Sequence, residues 1–390
     1  MTAFNRQNGK PVHRLRLLLV SFIDDCRWTG MGKWTHAIAE QLRARGHRVD
    51  LWFANDFPTV RRLGRLASLI LPSALTAKLL ASRSRFDAAI VHEPSAAVCA
   101  CLRRLRFDLP PVVAMCHNVE SHVFRTKKAA SRRGFAELSA KSHFMHALVR
   151  RPLTDGAIRW ADSVVCLSDV DRMYIRNSIG IPDRRITVVT NGVGPEYFTP
   201  RPDGTSFGRV LFVGGWLDVK GRRLLPRIWE QVVARFPHAR LSVVGSGASA
   251  TDVLEDFPEP IRPSIAVTPR LARPGQMATC YAEHDLYLMT SLTEGSPLSL
   301  LEAMAAGMPV AAARVGGIPD IITEKYGRLM FPPCDFIAAA DAIGRLLSDT
   351  SAARETGMAL RARAAELTWD AAASRLEAVA IAVSKRGVTC

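Results

Sequence analysis

Residues 15–54 read LRLLLVSFIDDCRWTGMGKWTHAIAEQLRARGHRVDLWFA, and this pattern predicts a strand, a glycine-containing loop, a helix and a second strand. An apolar run is followed by apolar residues at helical spacing. The sequence RGH at residues 45–47 indicates the end of that helix, and another apolar stretch follows it. Asp24 and Asp25 end the first run, and no small-residue cleavage site follows, so we interpret it as a buried strand rather than a secretory signal. A strand–helix–strand opening is typical of a parallel α/β sheet.

The rest of the chain repeats this alternation. In the first half, four more apolar runs alternate with helical stretches, at residues 87–91, 112–116, 163–167 and 187–189. In the second half, five apolar strands are each followed by a helical segment: RVLFVGG, ARLSVVGSG, SIAVTPR, DLYLMTS and PVAAAR. We predict two doubly wound, Rossmann-like α/β domains, residues 1–195 and 205–368, joined in the Gly- and Pro-rich stretch 191–209. An amphipathic helix at residues 369–390 is expected to pack back toward the first domain, and ligand is expected in the cleft between the two sheets.

The net charge of +16 is concentrated in the first half of the chain. Residues 1–200 contain 31 lysines and arginines against 16 aspartates and glutamates, an excess of 15. Such asymmetry is expected of a domain that faces nucleic acid, acidic phospholipid or an acidic substrate, although a basic surface kept for solubility has the same composition. No aromatic platform or nucleic-acid-binding motif accompanies the charge, so we predict no nucleic-acid partner.

The segment TVRRLGRLASLILPSALTAKLLASRSRF at residues 59–86 joins an apolar run to six cations. Such a stretch can lie in a membrane interface, where each cation gains about 1 kcal/mol from an anionic leaflet, but core helices look similar. No apolar run approaches the roughly 18 residues of a membrane span. We therefore predict a cytoplasmic protein bound peripherally to the anionic inner face of the cytoplasmic membrane, helped by the basic cluster RTKKAASRR at residues 125–133.

Two kinds of site are excluded by spacing. The eight cysteines include no C-x-x-C and no zinc-ligand pattern, so we expect reduced thiols and no metal site. The loop GMGKWT is not a P-loop, because Arg27 and Trp34 stand where that motif needs Gly and Ser or Thr. Gly30 and Gly32 stay open to two interpretations: they let a ligand approach the backbone at a helix N-terminus, or they form a tight strand-to-helix turn.

Residues 293–310, TEGSPLSLLEAMAAGMPV, predict a helix that begins between two glutamates. Pro297 suits the first helical position and Ser296 can cap the helix, which we expect to run through Ala306 and to stop at Gly307. One glutamate then precedes the helix and the other lies within it.

Free backbone N–H groups around residues 297–299, where Pro297 itself has none, together with the positive end of the helix dipole, suit a diphosphate. Glu294 would accept hydrogen bonds from hydroxyls on one side of that phosphate and Glu302 from hydroxyls on the other, which is the layout of a nucleotide sugar. The alternative is that Glu294 only assists the helix dipole and Glu302 is a solvated helix residue.

The longer stretch EGSPLSLLEAMAAGMPVAAARVGGIPDII resembles the E-x7-E signature of the retaining glycosyltransferases of the GT-B fold, the large group-4 family also described as glycosyl transferases group 1, with Glu294 and Glu302 as its glutamates. Six further segments resemble the family, in the family's order: GMGKWTHAIAEQLRARGHRV, MCHNVES, ADSVVCLSD, ITVVTNGVGPEYFTP, FVGGWLDVKG and VVGSG. The resemblance covers most of the chain and implies two Rossmann-like domains that face each other across a cleft.

The resemblance also implies roles. The counterpart of Lys220 binds the donor diphosphate, that of Glu302 the ribose, and that of Glu294 the transferred sugar. His117 would lie near the reacting sugar, although a histidine at a strand end is often only a satisfied buried group. The backbone that would line the sugar and phosphates is that of Gly295, Ser296, Pro297, Leu298 and Ser299.

One departure from the family concerns the diphosphate. The family has an arginine five or six residues before the lysine, and this chain has Gly214 and Gly215 there. Arg222 or Arg223 is a possible substitute, and either is equally a candidate for a solvated helix residue.

These observations lead to the expectation of a retaining, metal-independent, hexosyl-type glycosyltransferase without a cofactor. It would move a sugar from a UDP- or GDP-linked donor to a lipid-linked or cell-surface glycan acceptor, as in polysaccharide or lipopolysaccharide biosynthesis. The resemblance implies that anomeric configuration is retained, and no carboxylate is an evident covalent nucleophile, so same-face attack with the diphosphate as base is favoured. Two alternatives remain: a nucleotide-sugar epimerase on the same fold, and a non-catalytic partner that binds donor without transferring it.

Overall fold

The computed structural model describes residues 14–27, 29–64, 67–82, 86–199, 207–271 and 275–387. Their strands form two parallel sheets, as the sequence predicts, and each sheet has six strands, one more in the second half than the five predicted. The first sheet has the order β2-β1-β3-β4-β5-β6 and contains β1 (Arg16–Val20), β2 (Arg48–Trp52), β3 (Ala88–His92), β4 (Val112–Cys116), β5 (Ser163–Cys166) and β6 (Ile186–Val188). The second has the order β12-β11-β10-β7-β8-β9 and contains β7 (Arg209–Val213), β8 (Arg240–Val244), β9 (Ile265–Thr268), β10 (Leu286–Met289), β11 (Val310–Ala313) and β12 (Met330–Phe331).

Helices connect consecutive strands in both halves. Those of the first half are α1 (Gly30–Ala44), α2 (Pro58–Arg61), α3 (Ala67–Ala81), α4 (Ala97–Arg104), α5 (Glu120–Arg132), α6 (Ala140–Met145), α7 (Arg151–Trp160) and α8 (Asp169–Tyr174). Those that follow β7 are α9 (Leu225–Arg235), α10 (Ala250–Glu255), α11 (Gln276–Glu283), α12 (Leu298–Ala305), α13 (Ile318–Ile322), α14 (Phe336–Ser348), α15 (Thr350–Glu366) and α16 (Trp369–Gly387).

Both faces of the first sheet are buried. Side chains alternate along β1, so Leu17 and Leu19 enter the core beneath α1, and Leu18 and Val20 enter the core beneath α3 and α4. Every residue of β3 and β4 is buried. This explains why the strands read as continuous apolar runs rather than as alternating ones.

The last helix, α16, completes the core of the first sheet. Leu376 and its apolar neighbours pack with Leu17 and Trp34. Arg45 in turn donates to Glu377 at 2.9 Å. Because α16 follows the second sheet in sequence, the chain passes twice between the two halves.

These two crossings lie side by side. The Val193 amide donates to the Leu367 carbonyl at 3.0 Å, and a Cβ on Gly192 would collide with the backbone of Trp369. Residues 200–206 of the expected domain junction lie outside the described residues.

The basic amphipathic segment at residues 59–86 is largely a core element. Its helix α3 buries Leu71, Leu75 and Leu79 against the first sheet, and the Lys78 ammonium lies 4.3 Å from the centre of the Trp52 ring. Three of its six cations, Arg65, Arg83 and Arg85, lie outside the described residues. Within the described part of the chain, no helix has the length and apolar character needed to cross a membrane.

Candidate active site

The helix α12 begins without a side-chain cap. Pro297 occupies the cap position and makes no side-chain hydrogen bond, so the first-turn N–H groups receive no acceptor from it. The prediction that Ser296 caps this helix is wrong, because its hydroxyl accepts from the Asn191 amide at 3.1 Å and its carbonyl accepts from the Asn191 side chain at 2.6 Å. The helix ends at Ala305, close to the predicted stop, and Gly307 follows with a φ of 74°.

Glu294 lies in the loop before α12 and is paired with Lys220. The Lys220 ammonium donates to Glu294 Oε1 at 2.5 Å, and the Ser291 hydroxyl donates to the same oxygen at 2.6 Å. Lys220 is held by the Thr290 hydroxyl, which donates to its carbonyl at 2.8 Å. The next residue, Gly221, has a φ of 87°, and a Cβ there would collide with Thr290. The loops after β7 and β10 therefore bring the predicted lysine and the first predicted glutamate together.

Two glycines that our sequence reasoning did not select hold the backbone of Glu294. The Gly317 amide donates to the Glu294 carbonyl at 3.2 Å. Gly316 has a φ of 51°, and a Cβ there would collide with the same carbonyl. The sequence did contain an indication of both glycines. They form a pair in the VGGIPD segment after β11, and a glycine pair at a strand end permits another backbone to approach closely.

Glu302 lies inside α12 and is buried, with 5% of its surface exposed. Its Oε1 accepts from the Lys33 ammonium at 2.6 Å, and its Oε2 accepts from the Tyr281 hydroxyl at 2.9 Å. Lys33 also donates to the Tyr197 hydroxyl at 3.0 Å. Since Lys33 belongs to α1, this ion pair joins the first half of the chain to the second.

Burial and charge act in opposite directions on Lys33. Burial alone would lower its pKa, but the Glu302 carboxylate and Tyr197 raise it above the ordinary value, so Lys33 is a cation. Burial, and next the Glu302 charge, raise the pKa of Tyr197 to about 12 and that of Tyr281 well above its usual range. Both tyrosines are therefore neutral hydrogen-bonding groups at physiological pH.

His117 follows β4 and faces His92, the last residue of β3. Their Nε2 atoms are 3.1 Å apart, and Trp34 meets the His117 ring edge-on at 5.0 Å between centres. Burial lowers the pKa of His117 to about 4, and burial and His117 lower that of His92 well below its usual range. Both rings are therefore neutral, and one of the facing nitrogens donates to the other. Our sequence reasoning did not select His92.

The turn before α12 contacts the His117 segment directly. A Cβ on Gly295 would collide with the His117 carbonyl oxygen. Only glycine lets this turn of the second sheet approach the end of β4 so closely. The structure thus brings the His117 segment of the first sheet into contact with the turn of the second sheet that carries Glu294, which is paired with Lys220.

The two glycines of the first loop differ. A Cβ on Gly32 would collide with the Cys26 carbonyl, and the Gly32 amide donates to the Thr29 hydroxyl at 3.2 Å. The turn itself therefore requires glycine at position 32. Gly30 has open space around its Cα.

Gly214 and Gly215 offer no side chain to a phosphate, and the two nearby arginines are engaged elsewhere. Arg222 donates from Nε to Asp256 at 2.6 Å. Arg223 pairs with Asp218 at 3.1 Å and also with Glu137. Both arginines are thus bound to carboxylates rather than simply solvated. The seven cysteines in the described part are free, and the described residues contain no cluster of three or more potential His, Cys, Asp or Glu metal ligands.

A cavity of about 410 Å³ lies between α1, the crossing at residues 192–197 and α12. Lys33 and Glu302 line it, as does Leu298, the first residue of α12. The cavity thus combines the cations Lys33 and Arg27, the carboxylates Glu302, Glu40 and Glu196, and the N-terminal turn of a helix. Such a surface suits a ligand that carries both anionic oxygens and hydroxyl groups.

Two family models match most of the chain. Residues 28–197 match the family model described as Glycosyltransferase Family 4, and residues 208–349 match the model described as Glycosyl transferases group 1. The D-inositol 3-phosphate glycosyltransferase of Corynebacterium diphtheriae is 31% identical over 233 residues, covering 54% of this chain and 53% of that protein. The sulfoquinovosyl transferase SQD2 of Arabidopsis thaliana is 32% identical over 151 residues, covering 38% and 29%. The chain thus spans about half the length, or less, of these curated relatives.

Solved structures share the whole fold at low sequence identity. Sucrose-phosphate synthase from Thermosynechococcus elongatus superposes with a TM-score of 0.75 at 19% identity, covering 93% of this chain and 97% of that one. HepE from Anabaena, solved with UDP-glucose, superposes with a TM-score of 0.68 at 17% identity, covering 97% of this chain and 100% of that one. With two family models that together match most of the chain, and with the GT-B architecture present in full, the chain belongs to the group 1, family 4 glycosyltransferases.

Proposed function

We propose that this chain is a retaining glycosyltransferase that moves a sugar from a nucleoside-diphosphate sugar to a glycan or lipid-linked acceptor. The observation that carries the proposal is the arrangement around α12. An uncapped helix N-terminus lies between two buried carboxylates, Glu294 and Glu302, and each carboxylate is bound to a lysine. In this arrangement the lysines can bind the phosphates of a ligand. The two carboxylates can accept hydrogen bonds from hydroxyl groups on either side of those phosphates.

The donor would lie along this arrangement. The diphosphate occupies the α12 N-terminus beside Lys220, where the N–H groups of a helix start without a side-chain cap and a positive charge stabilise it. Glu302 accepts hydrogen bonds from the ribose, and Glu294 from the transferred sugar. HepE, which has the same fold, is solved with UDP-glucose, and this supports a nucleoside-diphosphate donor.

The catalytic step that we propose depends on stabilising the charge of the leaving group. As the glycosidic bond breaks, the leaving diphosphate gains negative charge, which Lys220 and the helix N-terminus are placed to stabilise. Glu294 is bound by Lys220 and by Ser291, so its hydrogen bonds hold it in place as a ligand for sugar hydroxyls. The acceptor then attacks from the face that the diphosphate leaves, and the diphosphate oxygen takes the acceptor proton.

His117 contributes a neutral ring beside the transferred sugar. The pKa values of His117 and His92 are both lowered, so neither ring takes up a proton near neutral pH. A neutral imidazole can exchange hydrogen bonds with a sugar hydroxyl without adding a positive charge next to the carbon that becomes electron-poor in the transition state. We therefore assign His117 a binding role at the reacting sugar.

The acceptor would meet the basic first half of the chain, at an anionic membrane surface. Because α3 buries Leu71, Leu75 and Leu79 against the first sheet, the membrane contact we propose is at its N-terminal end. Leu63, Leu69 and Ile70 are 41%, 36% and 41% exposed there, and Arg61 and Arg62 adjoin them in sequence. A few apolar side chains with cations beside them suit a peripheral contact with acidic lipid.

The donor assignment is tested by a thermal-shift screen of UDP-, GDP- and ADP-linked sugars against the wild-type protein and Glu302→Gln. We expect one base to raise the wild-type melting temperature and Glu302→Gln to lose most of that rise. Glu355→Gln, an exposed glutamate of α15, is the matched control. If no donor stabilises the wild type, or if Glu302→Gln responds like the control, this site does not bind the donor.

The same donor then separates the competing functions. A glycosyltransferase releases nucleoside diphosphate and forms a glycosylated product when an acceptor extract is added. An epimerase consumes donor without any acceptor and releases no nucleoside diphosphate. A non-catalytic partner binds donor but neither transfers nor hydrolyses the sugar.

A further inference from the structure

We infer that Lys33, which α1 carries across the cleft, is the second cation of the donor diphosphate site. This inference rests on the proposed function and adds a donor-binding residue to it. Its starting point is a shortage of charge. Where the family resemblance implies an arginine, this chain has Gly214 and Gly215, so Lys220 alone would face a diphosphate of about two negative charges.

The nearby arginines do not make up the shortage. Arg222 makes two hydrogen bonds to Asp256, at 2.6 and 3.1 Å. Arg223 is bound to Asp218 and to Glu137. Moving either guanidinium to a phosphate would leave its carboxylate without a counterion, which offsets the gain.

Lys33 is placed differently. Its ammonium lies 2.6 Å from Glu302 Oε1, and 28% of its side chain is exposed to the cleft. It lines the same cavity as Leu298, the first residue of α12. The ammonium therefore borders the cavity that the proposed ribose carboxylate and the first residue of α12 also line.

Donor binding provides Lys33 with a new partner. When ribose hydroxyls hydrogen-bond Glu302, they compete for the carboxylate oxygen that Lys33 now holds. A half-buried ammonium that loses part of its counterion needs another anion, and the donor phosphates supply it. A nucleoside without phosphates has the same ribose hydroxyls for Glu302 but no anionic group for Lys33.

This difference gives a specific experiment. Binding of a nucleoside diphosphate and of its nucleoside is measured by titration calorimetry, with whichever base stabilises the wild type. We expect Lys33→Met to weaken diphosphate binding at least tenfold while nucleoside binding stays within threefold of the wild type or becomes tighter. We expect Lys33→Arg to retain most of the diphosphate affinity, because a guanidinium also binds phosphate.

Lys325→Met, an exposed lysine of the second half, is the matched control and should change neither affinity. The inference is overturned if Lys33→Met leaves diphosphate binding unchanged. It is equally overturned if diphosphate and nucleoside weaken by the same factor, because Lys33 would then act only by holding Glu302 in place. A wild type that binds no nucleoside diphosphate at all would instead overturn the proposed function itself.

Discussion

Lys33 and Glu302 form an ion pair of 2.6 Å across the cleft, although 269 residues separate them in the chain. Glu302 is the second glutamate of the E-x7-E motif and lies in α12. Lys33 lies in α1, the first helix of the other half. The motif that identifies the family therefore also contacts the opposite domain. Removing either partner should affect both stability and ligand binding.

A double-mutant cycle tests the contribution of this pair to stability. Lys33→Met leaves Glu302 buried with only Tyr281 as a partner, so we expect a loss of about 2 kcal/mol in the free energy of unfolding. Glu302→Gln leaves Lys33 without its counterion and should cost a similar amount. The double variant should lose clearly less than both single losses combined, as measured by urea denaturation. Strictly additive losses would mean that the two residues are not coupled.

The contact between the α12 turn and the His117 segment predicts a strong effect at Gly295. Gly295→Ala places a methyl group against the His117 carbonyl, so either the two segments separate or the turn distorts. We expect its melting temperature to fall by several degrees and donor binding to weaken at least tenfold. Gly327→Ala, where a Cβ meets only the ends of the flexible Arg314 and Glu324 side chains, should leave both unchanged. A Gly295→Ala protein indistinguishable from this control would contradict the close approach.

The buried histidine pair predicts a loss of stability in acid. His117 has a pKa of about 4 in the folded chain, below the ordinary value of about 6.5 in the unfolded chain. The unfolded state therefore binds more protons between these values, and stability is lost as the pH falls from about 6.5 toward 4. His117→Asn removes this titration. The slope of melting temperature against pH over that range should be shallower in His117→Asn than in the wild type, and equal slopes would count against the assignment.

The membrane contact predicts binding that depends on both charge and apolar side chains. The wild type should co-sediment with vesicles that contain anionic phosphatidylglycerol and remain in solution with phosphatidylcholine vesicles. Leu69→Ser combined with Ile70→Ser should reduce binding at least fivefold without lowering the melting temperature, because both side chains are exposed. Ile337→Ser, whose side chain is 48% exposed in the second half, is the control. Undiminished binding by the double variant would rule out this end of α3.

Local patterns predicted most of the fold. Apolar runs identified the buried strands, and β4 was predicted with its bounds correct, because a parallel strand covered on both faces is apolar throughout. The two-residue strand β12 was not predicted, since Met330 and Phe331 are too few to show a period. Ser296 was predicted as a cap because serine favours that position locally. The structure uses it to bind Asn191, a residue 105 positions away.

The site was predicted only in part for the same reason. Lys220, Glu294 and Glu302 lie in segments with family-like patterns, so the sequence sufficed to select them. Lys33 also lies in a family-like segment, GMGKWT, but we selected only its glycines from the sequence, and His92 carries no local signal of its role. Their contacts depend on how two sheets and two domains pack, which no window of sequence contains. The pairing of each glutamate with its lysine is knowable only once the chain is folded.

The central claim is that the cleft around α12 binds a nucleoside-diphosphate sugar through Lys220 and the two glutamates. Titration calorimetry of the donor that stabilises the wild type, repeated with Lys220→Met, tests it most directly. We predict one binding site per chain and at least tenfold weaker binding to Lys220→Met, with an unchanged response in Lys325→Met. Equal donor affinity in wild type and Lys220→Met would contradict the claim.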